Sequence, residues 1–181
     1  MTTSFALYTM ERFGYDAEQN GYLFAYIGIL SILMQGGIFG RLVHRVGEAP
    51  LVVAGSLLLA GSLFAVPYVG PQWGGLTGLL IGMACFGIGN SLASPALTSL
   101  ASKAAPDHEQ GKALGIMQSG ASLARAIGPL IAGVLMNTAA GVVTDHSLQV
   151  TFWTASAIMF AAFLGSLLFA KNGRVVEAHA D

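Results

Sequence analysis

Residues 49–102 read APLVVAGSLLLAGSLFAVPYVGPQWGGLTGLLIGMACFGIGNSLASPALTSLAS, 54 consecutive positions without an Asp, Glu, Lys, Arg or His. A soluble domain of this size charges its water-facing helices and loops. Pro67, Gly70 and Pro71 break the stretch near its middle, where proline and glycine punctuate helices. Each remaining half is long enough to cross a hydrocarbon core, which takes about 20 residues at about 1.5 Å per residue. The stretch therefore predicts two membrane-crossing helices joined by a short turn.

Composition extends this reading to the whole chain. Hydrophobic residues make up 54% and charged residues 9% of the 181 positions, with a mean hydropathy of +0.67; a soluble domain is about 25% charged. A net charge of −1 offers nothing to nucleic acid. The single cysteine, Cys85, excludes an intrachain disulfide. The segment from Met1 to Tyr8 has no basic stretch ahead of an apolar one, so no cleavable signal peptide is read there.

Five complete spans are predicted, at about 19–40, 50–66, 74–99, 111–140 and 147–170. Only helices satisfy their backbone groups within lipid here, because the runs lack the alternation of barrel strands. Met1–Met10 is apolar but too short to span, and is read as the last turns of a helix that begins earlier. Six of the eight basic residues (Arg41, Arg45, Lys103, Lys112, Lys171, Arg174) fall on one side of these spans. Lys and Arg collect on the cytoplasmic side. Tyr8, Tyr15, Tyr22, Tyr26, Tyr68, Trp73 and Trp153 fall at or near the opposite boundary, where aromatic rings with a polar tip settle. The expected location is the cell (inner) membrane, multi-pass, with 171–181 as a cytoplasmic tail.

The spans differ in their faces. The third carries Gly75, Gly78, Gly82, Cys85, Gly89, Ala93 and Ala96 at steps of three and four, a strip that lets helices approach closely. The fourth carries Gly111, Gly115, Gln118, Ser122, Arg125 and Pro129 on one face. The first carries Gly21, Ala25, Gly28, Ser31 and Gln35. The second and fifth hold nothing more polar than Ser or Thr within their cores. Three helices are thus expected to face protein or a cavity, and two to face lipid.

At this point the sequence resembles the major facilitator superfamily of secondary transporters. Gly40-Arg-Leu-Val-His-Arg-Val-Gly47-Glu48 is similar to the second-half copy of that family's loop signature, Gly-x-x-x-Asp-Arg-x-Gly-Arg. Gly40, Arg45 and Gly47 match, while His44 replaces the acidic residue and Glu48 a basic one. Residues 87–95 with 109–111 resemble its helix ten and the following loop. Residues 118–129 resemble helix eleven of its drug:proton antiporter-like branch. The resemblance covers 5–170 and implies the C-terminal half of the fold, from the end of helix seven to helix twelve. It implies solute transport by alternating access, in which two six-helix halves rock around a midplane site. Drug efflux by proton antiport is the activity it implies, with a small-molecule solute, protons and the missing N-terminal half as partners. A chain with only one half is expected to be inactive alone.

Individual residues divide between structural and functional roles. Arg125 is the costliest, since a cation within a span opposes insertion by about 2.5–3.5 kcal/mol on insertion scales. It is either a gate or substrate-facing charge, or an Arg paired with a helix end or with the absent half. Gln35 and Gln118 either hydrogen-bond between helices or line a cavity. Asn90, five residues before Pro95, either satisfies backbone groups freed by the proline or contacts ligand. Gly75, Gly78, Gly82, Gly89, Pro95, Gly128 and Pro129 are read as helix-packing positions.

No cofactor or metal is expected: His44, His108, His146 and His179 are dispersed through loops and tail. No catalytic constellation can be assembled, because no carboxylate falls inside a complete span, which argues against an enzyme. A coupling carboxylate, if used, lies elsewhere. The remaining rival is a non-transporting membrane subunit or scaffold that assembles with another chain.

Overall fold

The computed structural model describes residues 2–135 and 144–177. Among these, the chain folds as α1 (Thr2–Phe13), α2 (Ala17–Leu33), a π-helical turn (Met34–Ile38), α3 (Phe39–Val46), α4 (Glu48–Ala65), a 3-10 turn (Val66–Tyr68), α5 (Gly75–Lys103), α6 (Gln110–Leu135) and α7 (Asp145–Glu177). No strand occurs among the described residues; isolated bridges join Gly70 to Trp73 and Gly74. The architecture is an all-α membrane bundle. Ala17–Val46, Glu48–Tyr68, Gly75–Lys103 and Asp145–Ala170 are long and apolar enough to cross a membrane.

The helix boundaries follow local chemistry. Asp16 caps α2 through a reciprocal box with Gln19: Gln19 N–H donates to Asp16 Oδ1 at 2.8 Å, and Asp16 N–H to Gln19 Oε1 at 3.0 Å. Between α3 and α4 the chain turns on one residue, Gly47, at φ +81°, a conformation that a Cβ strongly disfavours. Pro50 falls in the first turn of α4, where its missing N–H is harmless.

α4 is the hub of the bundle. It packs along both α5 and α7 and buries Leu51, Val52, Gly55, Ser56, Leu59, Ala60, Ser62 and Leu63. A Cβ built on Gly55 would lie 2.7 Å from both Ala93 N and Gly89 O, so the α4 and α5 backbones touch there. Ser156 Oγ of α7 donates to the Ala60 carbonyl of α4 at 2.8 Å. One apolar cluster, holding Tyr8, Leu23, Leu63, Val66, Leu79, Met83, Leu148 and Phe152, fills the Arg12 end of the bundle. A second, holding Leu51, Val52, Leu92 and Ala96, fills the Lys103 end.

Several expectations change in the structure. The second span, expected to face lipid, instead buries one face between α5 and α7 and exposes Leu57 and Phe64 on the other. It is apolar on every side because some sides meet helices and others would meet lipid, and composition cannot separate the two. The signature expected as a loop is helical from Gly40 to Val46, because Leu42 and Val43 pack on the second cluster. α7 continues to Glu177, so the start of the expected tail extends that helix; residues 178–181 lie outside the described residues. α6, expected as the fourth of five spans, is not among the four apolar runs. Lys112, Gln118 and Arg125 lower its apolarity, and residues 136–140 of that span lie outside the described residues.

Candidate functional site

The four candidate polar residues sit on three elements, and the structure does not bring them into contact. Gln35 is exposed on the π turn, Asn90 on α5, and Gln118 and Arg125 on α6. Arg125 Nη2 donates to Ser122 Oγ of its own helix at 3.2 Å. The side chains of Gln35, Asn90 and Gln118 make no hydrogen bond among the described residues. Asn90 therefore does not satisfy backbone groups near Pro95; it lines a groove between α4, α5 and α7.

That groove, about 640 Å³, runs along the Lys103 halves of the three helices and is lined by Ala49, Val52, Ser56, Ala93, Leu97 and Met159 among others. A smaller apolar cavity of about 80 Å³ lies beneath α1, between Phe5, Phe24, Ile27, Met83, Phe86 and Phe152. Gln35, Gln118 and Arg125 line neither. α6 buries no residue, and α2 buries only Asn20 and Leu23. The polar candidates on the π turn and on α6 therefore lie on surfaces that the rest of the described chain leaves uncovered.

The small strip of α5 faces several neighbours. Gly89 lies against the Gly55 carbonyl, Leu58 and Leu59 of α4, where a Cβ would meet them at 2.9–3.1 Å. Gly78 lies against Val69, and Gly82 against Val66. Around Gly75 and Gly128 the space is open. Pro95 and Pro129 are both inside helices, α5 and α6.

The signature segment yields one contact that sequence reading did not anticipate. Glu48, standing where the pattern has a basic residue, bonds Lys103 at the end of α5 and accepts from Ser99 Oγ at 3.1 Å. Arg45 is exposed without an ion pair among the described residues. His44 Nδ1 lies 2.7 Å from the Gly40 carbonyl, a local helix contact. The missed signal was positional: Glu48 and Lys103 bound the charge-free stretch and must meet if its halves pair antiparallel.

The Arg12 end holds further polar contacts that sequence reading missed. Tyr8 Oη donates to the Val66 carbonyl at 2.8 Å and also meets the Val69 carbonyl. Thr9 Oγ1 donates to Asn20 Oδ1 at 2.6 Å, both residues buried. Arg12 Nε donates to Asp145 Oδ1 at 3.0 Å, joining α1 to α7. Their residues are ordinary at a membrane boundary, so nothing in the sequence marks the pairings. No group of three or more His, Cys, Asp or Glu capable of holding a metal occurs among the described residues.

The described residues thus form an all-α bundle of apolar, small-residue-rich membrane helices with polar side chains left exposed on the π turn and on α6. The family model described as Major Facilitator Superfamily matches residues 1–180, and the chain belongs to that family. It is 26% identical to the class D tetracycline resistance protein of Salmonella ordonez over 97% of this chain and 42% of that protein. It is 28% identical to the class H tetracycline resistance protein of Pasteurella multocida over 92% of this chain and 38% of that one. It is also 27% identical to the multidrug resistance protein MdtH of Yersinia pestis (strain Pestoides F), over 75% of this chain and 31% of that protein. The chain thus spans less than half the length of these relatives. No solved structure matches it.

Proposed function

We propose that this chain is the C-terminal half of a secondary transporter of the drug:proton antiporter type, moving a small solute by alternating access together with an N-terminal six-helix half. The observation that carries the reading is the asymmetry of the bundle. α4 is packed between α5 and α7, while Gln35 of the π turn and Gln118 and Arg125 of α6 are left exposed, and in this reading they share the face toward the other half. Polar and charged groups within membrane helices face a bundle interior or a water-filled path, because lipid exposure is costly. Two such half-bundles opposed across that face would enclose a midplane path. The resistance proteins named above support drugs as the solute class.

In this reading the Lys103 end lies in the cytoplasm and the Arg12 end outside, in keeping with the basic residues at the former. Arg125 holds positive charge at the path and is held in turn by an anionic group of the other half. The chain alone does not transport, because its polar face has no opposing wall. The carboxylates of the spans, Glu18, Glu48 and Asp145, stand in their first turns rather than within the membrane, so in this reading the coupling acid belongs to the other half.

The test is efflux by the chain joined to the N-terminal half of a relative, comparing Arg125→Ala with Lys112→Ala. Arg125→Ala should impair efflux strongly and Lys112→Ala little; equal, mild effects would remove Arg125 from the path. That the span carboxylates stand only at the helix starts also supports a second reading, a non-transporting subunit. It requires a hetero-complex of fixed stoichiometry by native mass measurement in mild detergent, and no efflux with any added half.

A further inference from the structure

The run from Ala17 to Val46 is one continuous helical rod with a single defect, the π turn Met34-Gln-Gly-Gly-Ile38. Such turns hold one residue more than an α-helix needs, and they recur where helices work rather than merely pack. The packing of the rod shows where the extra residue goes. Met34 on one side of the turn, and Phe39, Leu42 and Val43 on the other, all pack against the cluster of Leu51, Val52, Leu92 and Ala96. Residues on one face of an α-helix are three or four apart, yet Met34 and Phe39 are five apart. The residue four beyond Met34, Ile38, is turned outward and 46% exposed. The π turn is what returns Phe39 to the core.

An ordinary α-helix one residue shorter would place Phe39 four positions after Met34 and make the same contacts. The additional residue therefore contributes no packing. Gly36 and Gly37 face open space: a Cβ built on either meets no atom of another element within 4 Å. On either side the rod is fastened. α2 is held by Asn20, whose side chain bonds Thr9 and the Asp16 carbonyl, and by buried Leu23 in the first cluster. α3 is held by Phe39, Leu42 and Val43 in the second.

The π turn also lies against α5, where Pro95 removes the N–H that would bond the Ser91 carbonyl. Ser91 Oγ is fully buried there without a partner. The π turn on one helix and the bond lost at Pro95 on the other thus belong to elements in contact.

We infer that Gln35–Ile38 is a hinge, built into the rod so that α2 bends relative to α3 while α3 stays fixed to α4 and α5. The inference stands independently of any transported solute. Its test is amide hydrogen exchange on the full chain in lipid nanodiscs, followed by mass spectrometry. Amides of residues 35–39 should exchange about tenfold or more faster than those of 24–33, since local opening lowers protection. Deleting Gly37 should bring 35–39 to the rate of 24–33 and leave the exchange of α4 unchanged. The double substitution Gly36→Ala with Gly37→Ala keeps the length and should slow exchange at 35–39; it carries the test if the deletion does not fold. Equal exchange of 35–39 and 24–33 in the natural chain, or no slowing in a folded variant, would overturn the hinge.

Discussion

Glu48 and Lys103, the two charged residues that bound the longest uncharged stretch of the chain, pair with each other across the ends of α4 and α5. The stretch folds back on itself at the Pro67–Pro71 turn, so its two boundaries return to one place. The pair marks where apolar helix ends on both arms. The Lys103 side chain is 65% exposed and that of Glu48 only 15%, and Glu48 bonds both Lys103 and Ser99.

Neutralising this pair should cost little, because water screens the exposed Lys103: Glu48→Gln should destabilise by under about 1 kcal/mol. Glu48→Lys should cost more, by opposing two cations and losing the Ser99 bond. The exchanged pair, Glu48→Lys with Lys103→Glu, should regain most of that loss. Thermal unfolding of the three variants in one detergent reads the order, and an exchanged pair no better than Glu48→Lys would contradict the pairing of these two residues.

The contact of α4 with α5 at Gly55 leaves no room for a methyl group. Gly55→Ala puts a Cβ into the backbone of Gly89 and Ala93, and overpacking of this kind costs about 1–3 kcal/mol or more. Gly61, on the same helix, has open space around it. Gly61→Ala should be neutral or slightly stabilising, since alanine is the better helix former. Unfolding midpoints should fall for the first and hold for the second; similar midpoints would mean the helices do not meet at Gly55.

Tyr8 fastens α1 to the turn after α4. Its ring packs edge-on to Phe152, with centroids 5.5 Å apart, and its hydroxyl meets two carbonyls. Tyr8→Phe keeps the ring and removes the donor from both carbonyls; Val66 O still accepts from Val69 N–H at 3.0 Å, so the loss is about 0.5–1.5 kcal/mol. Tyr22→Phe is the control: Tyr22 is exposed and bonds only Glu18, at 2.9 Å. Equal midpoints for the two variants would contradict the role given to Tyr8.

Sidedness can be read from one background, Cys85→Ser, carrying either Gln72→Cys or Asp107→Cys. Both positions are exposed, at opposite ends of α5. A membrane-impermeant maleimide should label Gln72→Cys in intact cells and Asp107→Cys only after permeabilisation. The reverse pattern would invert the orientation.

Much of this structure was legible in the sequence, and its gaps have physical causes. The charge-free stretch gave the α4–α5 hairpin, because lipid imposes one simple rule on composition. Which side of α4 meets protein was not legible, since lipid tails and leucines are equally apolar and leave no pattern to tell them apart. The π turn escaped notice because Gly36-Gly37 fits an ordinary helix face equally well; only the position of Phe39 reveals the shift. The candidates Gln35, Gln118 and Arg125 were recognisable by their cost in a membrane, but their partners were not, because among the described residues only Arg125 has one, Ser122 of its own helix. Asn90 lines the groove between α4, α5 and α7, a placement set by the rotation of α5, which its small residues on several faces left undetermined.

The most direct measurement is proton-driven uptake of tetracycline and a panel of other resistance-type drugs into inside-out membrane vesicles. The vesicles hold this chain alone, the N-terminal half of the class D relative alone, or both halves together. The account predicts uptake of at least one compound only where both halves are present, abolished by dissipating the pH gradient and by Arg125→Ala. Uptake by this chain alone, or none by a pair of halves that co-purifies, would contradict it.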